Sequence, residues 1–392
     1  MRVAVVHDWL YVVGGAELVL KEILKCYPQA DVFTLFDFLS SADRERIGLG
    51  ATKTSFLQKI PMMKSHHRSF LPLMPIAIEQ FDLSGYDLVI SSSYAVAKGV
   101  LTGPDQMHVS YVHSPMRYAW DLQHSYLNKS GYKGLKAGVV RYLLHRLRIW
   151  DTRTASGPNV MLANSAFIAR RIRKVYSRNA AVVYPPVRLS TRGADRAARG
   201  DHFLAASRLV PYKNIEQIVL AFNALPDQHL VVAGDGPEAA RLRAVAGPNV
   251  TFAGYVSDVE LRRLMATARA FVFAAEEDFG IITVEAQSEG TPVLALGRGG
   301  SREIVLEGRT GLFYNEPTPE AIAECVRAFI RVEDRFSPAA CRQQASRFST
   351  ERFRRDFSDA VQKALREGAT ERDAPQKQQL EPMSSLAGAS GA

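Results

Sequence analysis

Two glutamates separated by seven residues, Glu277 and Glu285, bracket the segment EDFGIITVE, which follows the apolar run Ala270–Ala274 and leads into helical spacing from Val284. At a strand-loop-helix junction both carboxylates can face one ligand, while the backbone N–H groups of Gly280 to Ile282 meet a phosphate. A second set lies in SRLVPYK, where Arg208 and Lys213 stand on the loop between an apolar strand and a helix. Two cations so placed can converge on one diphosphate, the Arg as a bidentate fork and the Lys as a point charge. A third lies in GGAE, where Gly14 and Gly15 follow the opening strand and start a helix whose N-terminal amides can meet a phosphate. For each set the competing reading is plain: solvated charges for the first two, a structural glycine turn for the third.

These sets need strands and helices to hold them. Arg2–His7, Asp31–Leu35, Asp87–Ser93, His108–His113 and Val160–Ala163 read as buried strands alternating with helix-length segments, the pattern of a parallel sheet covered on both faces. AVVYPPV at Ala181–Val187 ends a strand in a Pro-Pro pair and marks a domain boundary. The pattern restarts with Phe203–Ala206, His229–Ala233, Ala270–Phe273, Val293–Leu296 and Leu312–Tyr314. The expectation is an α/β chain of two Rossmann-like, doubly wound domains facing a cleft, spanning 1–186 and 187–348, with ligands at the carboxyl ends of the strands. Ser349 and Thr350 then cap a helix over 349–367, with Phe353, Phe357, Val361 and Leu365 on one stripe, expected to pack back toward the first domain. The polar, period-free stretch 368–392 reads as a disordered tail.

Several motifs in this order resemble the retaining glycosyltransferase family 4, which has a GT-B fold: HDWL with GGAE, YVHSPMRYAWD, SRLVPYKN, GDGPE and EDFGIITVEA. The resemblance covers roughly Met1 to Arg366 and implies a donor nucleotide sugar. By match of motif it implies that Arg208 and Lys213 bind the donor diphosphate, that Glu277 contacts the donor sugar and that Glu285 contacts the ribose. It places Gly14, Gly15, Phe279, Gly280, Ile281 and Ile282 with the donor-binding residues. His113, at the end of its strand, resembles the family's active-site histidine that touches the donor sugar. It need not be a base, because in the front-face mechanism proposed for such enzymes a donor phosphate oxygen takes the acceptor proton. Similarity to the O-antigen mannosyltransferase branch makes GDP-mannose the expected donor and a saccharide, expected to be lipid-linked, the acceptor. A UDP-sugar donor is the alternative. The family is generally metal-independent, so no metal and no cofactor beyond the co-substrate is expected.

Other classes fit less well. GDGPEA at Gly234–Ala239 matches the dinucleotide fingerprint of a nicotinamide oxidoreductase, but Pro237 crowds its phosphate loop and no acidic residue ends a strand about twenty residues on. Asp278-Phe279-Gly280 mimics a kinase metal motif without the catalytic loop that must precede it. A non-catalytic sugar-binding protein would not need the complete donor set. The net charge of +9 suits an anionic partner, yet no nucleic-acid recognition motif accompanies it. Basic residues instead cluster beside apolar ones: Lys53, Lys59, Lys64, His66, His67 and Arg68 around Phe56, Leu57, Ile60, Met62, Met63 and Phe70, and Arg141, His145 and Arg148 opposite Val139, Val140, Leu143 and Leu147. Such clusters fit an anionic membrane surface as well as they fit a solvated face. With three scattered cysteines, no leader-like start and no long apolar run, the expected place is the cytoplasm, with docking to the inner face of the cytoplasmic membrane as its peripheral variant.

Overall fold

A computed structural model describes residues 1–121, 123, 124, 127, 133–190 and 199–373 of the chain. Its first sheet contains β1 (Val3–His7), β2 (Asp31–Thr34), β3 (Thr52–Thr54), β4 (Leu88–Ser93), β5 (Met107–Val112), β6 (Val160–Ala163) and β7 (Ala181–Val182), in the spatial order β3-β2-β1-β4-β5-β6-β7. The second contains β8 (His202–Ala206), β9 (His229–Ala233), β10 (Val250–Gly254), β11 (Phe271–Phe273), β12 (Val293–Leu296) and β13 (Gly311–Tyr314), in the order β10-β9-β8-β11-β12-β13. All pairings are parallel, with His7 opposite Ser92 and Phe271 opposite Leu204 at the two central seams. Parallel sheets bury both faces, which accounts for unbroken apolar runs such as VAVV and HLVVA. Separate cores sandwich the first sheet, one around Val6, Phe33 and Met74 and the other around Val5, Leu20 and Tyr111.

Strand order reverses between β1 and β4 in one sheet and between β8 and β11 in the other, and at such switch points the loops part to leave a crevice. The helices that matter for the crevice are α1 (Gly15–Cys26), α2 (Gly134–Thr154), α3 (Ala166–Tyr176), α4 (Ile281–Ser288) and α5 (Thr350–Asp373). Helix α5 starts where Ser349 Oγ accepts the Arg352 N–H at 3.1 Å. Its buried Phe353, Phe357 and Val361 complete the core of the first domain, packing on Tyr27 and Tyr111. The helix runs through Asp373, past the Gly368 where the sequence reading begins its tail, because its helical spacing continues without a Pro until Pro375. The remainder of that tail, 374–392, lies outside the described residues. Cys26, Cys325 and Cys341 are all free thiols.

Helix α2 lies otherwise than its sequence suggests. Leu144 and Leu147 are in the core and Val140 packs against it, but Val139 is 50% exposed, in line with exposed Leu135, Tyr142 and Ile149. Arg148, expected on an outer basic face, turns inward and donates to Ala119 O at 2.8 Å and to the Gln123 side chain. The same helix carries a buried charge. Asp151, fully buried, pairs with buried Lys98 and accepts from Trp120 Nε1 at 2.8 Å and from Tyr176 Oη at 3.0 Å. This carboxylate thereby ties the loop after His113 to α2 and α3. Removing one partner of such a pair strands the other charge in a medium that solvates it poorly, so Asp151→Ala should lose about 3–5 kcal/mol of stability. Urea unfolding checks this as a lower midpoint at unchanged slope.

Candidate active site

Between the sheets lies a cleft of ≈ 1270 Å³, lined from both domains. Gly14, Gly15, Tyr94 and His113 come from the first domain, and Arg208, Lys213, Glu277, Phe279, Gly280, Ile281, Ile282 and Glu285 from the second. Every residue singled out from the sequence as a donor ligand or active-site group therefore borders one space.

Helix α1 has Gly14 as its N-cap, and its first intrahelical bond is Leu18 N–H to Gly14 O at 3.1 Å. The amides of Gly15, Ala16 and Glu17 precede it and are the helix's orphan donors. Gly14 is not among the available ones: its own N–H is taken by Glu17 Oε2 at 2.7 Å. Across the cleft, Gly280 adopts φ +100°, a left-handed conformation suited to glycine, and opens helix α4, whose first turn leaves the amides of Ile281 and Ile282 unbonded within the helix. A Cβ placed on Gly15 would sit 3.1 Å from Ile281 Cδ1, so the first residues of α1 and α4 lie against one another. Two helix N-termini bordering one cleft offer partial positive charge to an anion there.

The cations and carboxylates are set around that cleft. After β8 the chain passes exposed Arg208, forms a short 3₁₀ turn at Pro211–Lys213 and reaches Asn214 in a left-handed conformation. Asn214 Nδ2 donates to Ala274 O at 2.9 Å, which fastens this loop to the end of β11 and sets Lys213 in an ion pair with Glu277. Gly300 N–H holds Glu277 O at 2.9 Å, and a Cβ at Gly300 would fall 2.3 Å from Phe279 O. This backing loop escaped the sequence reading. Its signal was the pair Gly299-Gly300 after a strand, which only contact with another loop explains. Glu285 sits deeper, where burial, with Asp258 and Glu289 nearby and Arg262 opposing, raises its carboxyl to about 7. His113 lies on the cleft floor, its amide bonded to Ser93 O at 2.8 Å and its Nε2 2.9 Å from Ser92 Oγ. Burial, and secondarily His7, push its pKa down to about 3, so the ring is neutral.

Other polar groups fix the loops and the domain joint around the cleft. Asp8, fully buried, accepts the N–H groups of Tyr94, Ala95, Val96 and Ala97 at 2.6–2.9 Å and so fixes the loop beneath Tyr94. Asp278 joins the domains: its carboxylate is 3.2 Å from Arg117 and 3.3 Å from Arg171, and its carbonyl accepts from Ser165 Oγ at 2.6 Å. Glu303 reaches back from the second domain to cap α3, accepting from Ala166 N at 2.7 Å and Phe167 N at 2.9 Å. The GDGP turn also has a structural use. A Cβ at Gly234 would fall 1.9 Å from Ser207 O, and Leu209 N–H donates to Asp235 O at 2.9 Å. The turn thus buttresses the Arg208 loop. Among the described residues no three His, Cys, Asp or Glu side chains gather as a metal-ligand group.

Two parallel-sheet domains with a ligand cleft between their switch points define the GT-B fold. The whole-chain likeness agrees: Anabaena HepE in complex with UDP and glucose superposes with TM-score 0.65 at 18% identity over 92% of this chain and 99% of that one. Sucrose-phosphate synthase from Thermosynechococcus elongatus gives TM-score 0.69 at 16% identity over 94% and 100%. Residues 195–348, the second domain, match the family "Glycosyl transferases group 1". Curated relatives include a GDP-mannose-dependent alpha-mannosyltransferase of Mycolicibacterium smegmatis, 35% identical over 36% of this chain and 37% of that protein. A GDP-mannose-dependent alpha-(1-6)-phosphatidylinositol monomannoside mannosyltransferase of Mycobacterium tuberculosis is 28% identical over 47% and 55%. The matched stretches thus span about a third to just over half of these relatives' own length.

Glu285 makes the site visible to pH even when empty. Between its ordinary value of 4.5 and about 7, the folded chain retains a proton that the unfolded chain has released. Stability must then fall as pH rises through that window, because the native state binds more protons there. Glu285→Gln should flatten this slope, with thermal midpoints of the variant gaining on those of the parent chain from pH 5 to pH 8. Parallel curves would show that Glu285 titrates normally.

Proposed function

We propose that this chain is a retaining glycosyltransferase that moves mannose from GDP-mannose onto a saccharide acceptor carried on a lipid, in surface polysaccharide synthesis, without a metal ion. The observation that carries the reading is the pair of helix N-termini bordering one cleft, flanked by Arg208 and Lys213 and bounded by Glu277 and Glu285. A diphosphate fits the cleft by charge, its ribose hydroxyls can donate to Glu285, and its sugar then lies between Glu277 and His113. Relatives named for GDP-mannose support that donor. The HepE complex with UDP and glucose supports the second reading, a UDP-sugar on the same residues.

In this proposal the bond from the anomeric carbon to the diphosphate oxygen breaks and negative charge develops on the departing oxygen. Arg208, Lys213 and the two helix ends stabilise that charge in a preorganised site. The acceptor hydroxyl attacks from the side the diphosphate leaves, its proton passing to a phosphate oxygen, so configuration is retained. Lys213 exchanges Glu277 for phosphate as the donor arrives, which frees the Glu277 carboxylate to accept a sugar hydroxyl. Each of Arg208→Ala and Lys213→Ala should lower turnover roughly a hundredfold or more. The assay is release of GDP or UDP from a panel of nucleotide sugars with lipid-linked acceptor, in the presence of a chelator. GDP release from GDP-mannose alone is the expected outcome; chelator-sensitive release, or near-normal turnover in both variants, would remove the assignment.

The acceptor's lipid calls for a surface to meet it. No helix among the described residues is long and apolar enough to cross a membrane. Helix α2 instead presents exposed Leu135, Val139, Tyr142 and Ile149 beside exposed Lys136, Arg141 and Arg146, and the segment before it presents Phe56 and Met62 beside Lys59 and Lys64. Apolar side chains among cations suit the face of an anionic bilayer, where each Lys or Arg contributes about 1 kcal/mol. Co-sedimentation with anionic vesicles should be strong at low salt, weaker at high salt, and largely lost when Lys59, Lys64, Arg141 and Arg146 are changed to Gln. Equal binding by that variant would point to a soluble acceptor.

A further inference from the structure

A buried hydrogen-bond chain connects the glycine loop at the start of α1 with His113. Gly14 N–H donates to Glu17 Oε2 at 2.7 Å, and Glu17 Oε1 lies 3.4 Å from His7 Nε2. His7 Nδ1 lies 3.1 Å from Ser92 Oγ, which lies 2.9 Å from His113 Nε2. His7 and Ser92 are wholly buried and Glu17 nearly so, which leaves little room for water to substitute along the chain.

The direction of every link follows from one end when His7 carries a single ring hydrogen. A carboxylate only accepts, so His7 Nε2 carries the hydrogen that faces Glu17. With that as its one ring hydrogen, His7 has Nδ1 as the bare nitrogen, which accepts from the Ser92 hydroxyl. That hydroxyl has spent its single hydrogen, so it accepts from His113, whose Nε2 must be protonated. His113 Nδ1 is left with a lone pair, on a ring that lines the cleft. The neutral state of His113 removes the other arrangement, in which both nitrogens would donate.

We propose that Glu17, acting through His7 and Ser92, is a positioning residue that sets the tautomer of His113, so that His113 meets a sugar hydroxyl as a hydrogen-bond acceptor through Nδ1. This rests on the transferase reading for the hydroxyl, whereas the tautomer itself can be observed with no substrate present. The same carboxylate holds the Gly14 amide, so the phosphate loop and the sugar contact are fixed by one side chain.

Glu17→Gln supplies the sharpest test, because the amide keeps the shape and reverses the polarity. Its oxygen can still accept from Gly14, but its NH₂ must donate to His7 Nε2, which turns every later link around. Nitrogen-15 NMR of the histidine rings in the full chain, assigned with His7→Gln and His113→Gln, should show His7 and His113 as Nε2–H in the parent chain. Both should become Nδ1–H in Glu17→Gln. Ser92→Ala should uncouple the rings, leaving His113 unresponsive to Glu17→Gln in the double variant. In turnover, Glu17→Gln should lose about tenfold in kcat, the worth of one hydrogen bond, with nucleoside diphosphate affinity kept within about twofold. An Nδ1–H His113 in the parent chain, an unchanged His113 in Glu17→Gln, or an equal loss of diphosphate affinity would each overturn the proposal. Absence of transfer from every sugar donor, with the tautomers as described, would instead count against the transferase reading alone.

Discussion

The site depends on the grip that the first domain keeps on Asp278. This residue follows Glu277 directly in the chain, and its carboxylate meets two guanidiniums, Arg117 and Arg171, while its carbonyl takes the Ser165 hydroxyl. Burial pushes the Asp278 carboxyl up, and the two arginines oppose that shift. A carboxylate taken out of water holds its charge only where such partners are present. The interdomain joint is therefore made from the loop that carries the candidate sugar ligand. A change in the angle between the domains must move Glu277, Phe279 and the start of α4 relative to Gly15.

Electrostatic economy in the empty cleft follows from the same arrangement. Lys213 and Glu277 neutralise one another, while the amides at the starts of α1 and α4 remain as partial positive charge, opposed on α1 by the first-turn carboxylate of Glu17. Orphan amides are fixed by the backbone and need no reorganisation when an anion arrives. Lys213, by contrast, is held by Glu277 and would have to leave it, and exposed Arg208 would have to be ordered, for either to meet an anion. In the proposed donor complex the fixed dipoles would therefore define the anion's place before the two cations reach it.

Much of this was legible because the chemistry-bearing residues stand at strand ends, and strand ends show in apolar runs. Buried β1, β4, β5, β8 and β9 each left such a run, and the expected groups from Gly14 to Glu285 do border one cleft. The edge strands were harder. The three residues of β3, Thr-Lys-Thr, are polar and largely solvent-facing, and β10 alternates half-buried with exposed positions, so neither carries the signature of a buried strand. Side chains that act on distant backbone also left no trace: Asp8 on four amides of the 94–97 turn, Glu303 on the start of α3, Gly300 against Phe279. Such contacts depend on two loops arriving at one place, which no local spacing encodes. The inward turn of Arg148 belongs with them, since its acceptors on Ala119 and Gln123 stand earlier in the chain and meet α2 only after folding.

Helix α5 has a consequence for how the chain is made. It follows the second domain in sequence and fills the first domain's core, where Phe353, Phe357 and Val361 lie against Tyr27, Val109 and Tyr111. The first domain is therefore not a continuous stretch of chain, the second being inserted before its last helix, and the polypeptide crosses the seam twice. During synthesis the first sheet emerges early, with one face lacking its cover, and keeps that apolar groove bare while all of the second domain is still to be translated. Chaperone dependence, and the order in which protease resistance appears on the ribosome, are thereby set by residues near the far end of the chain.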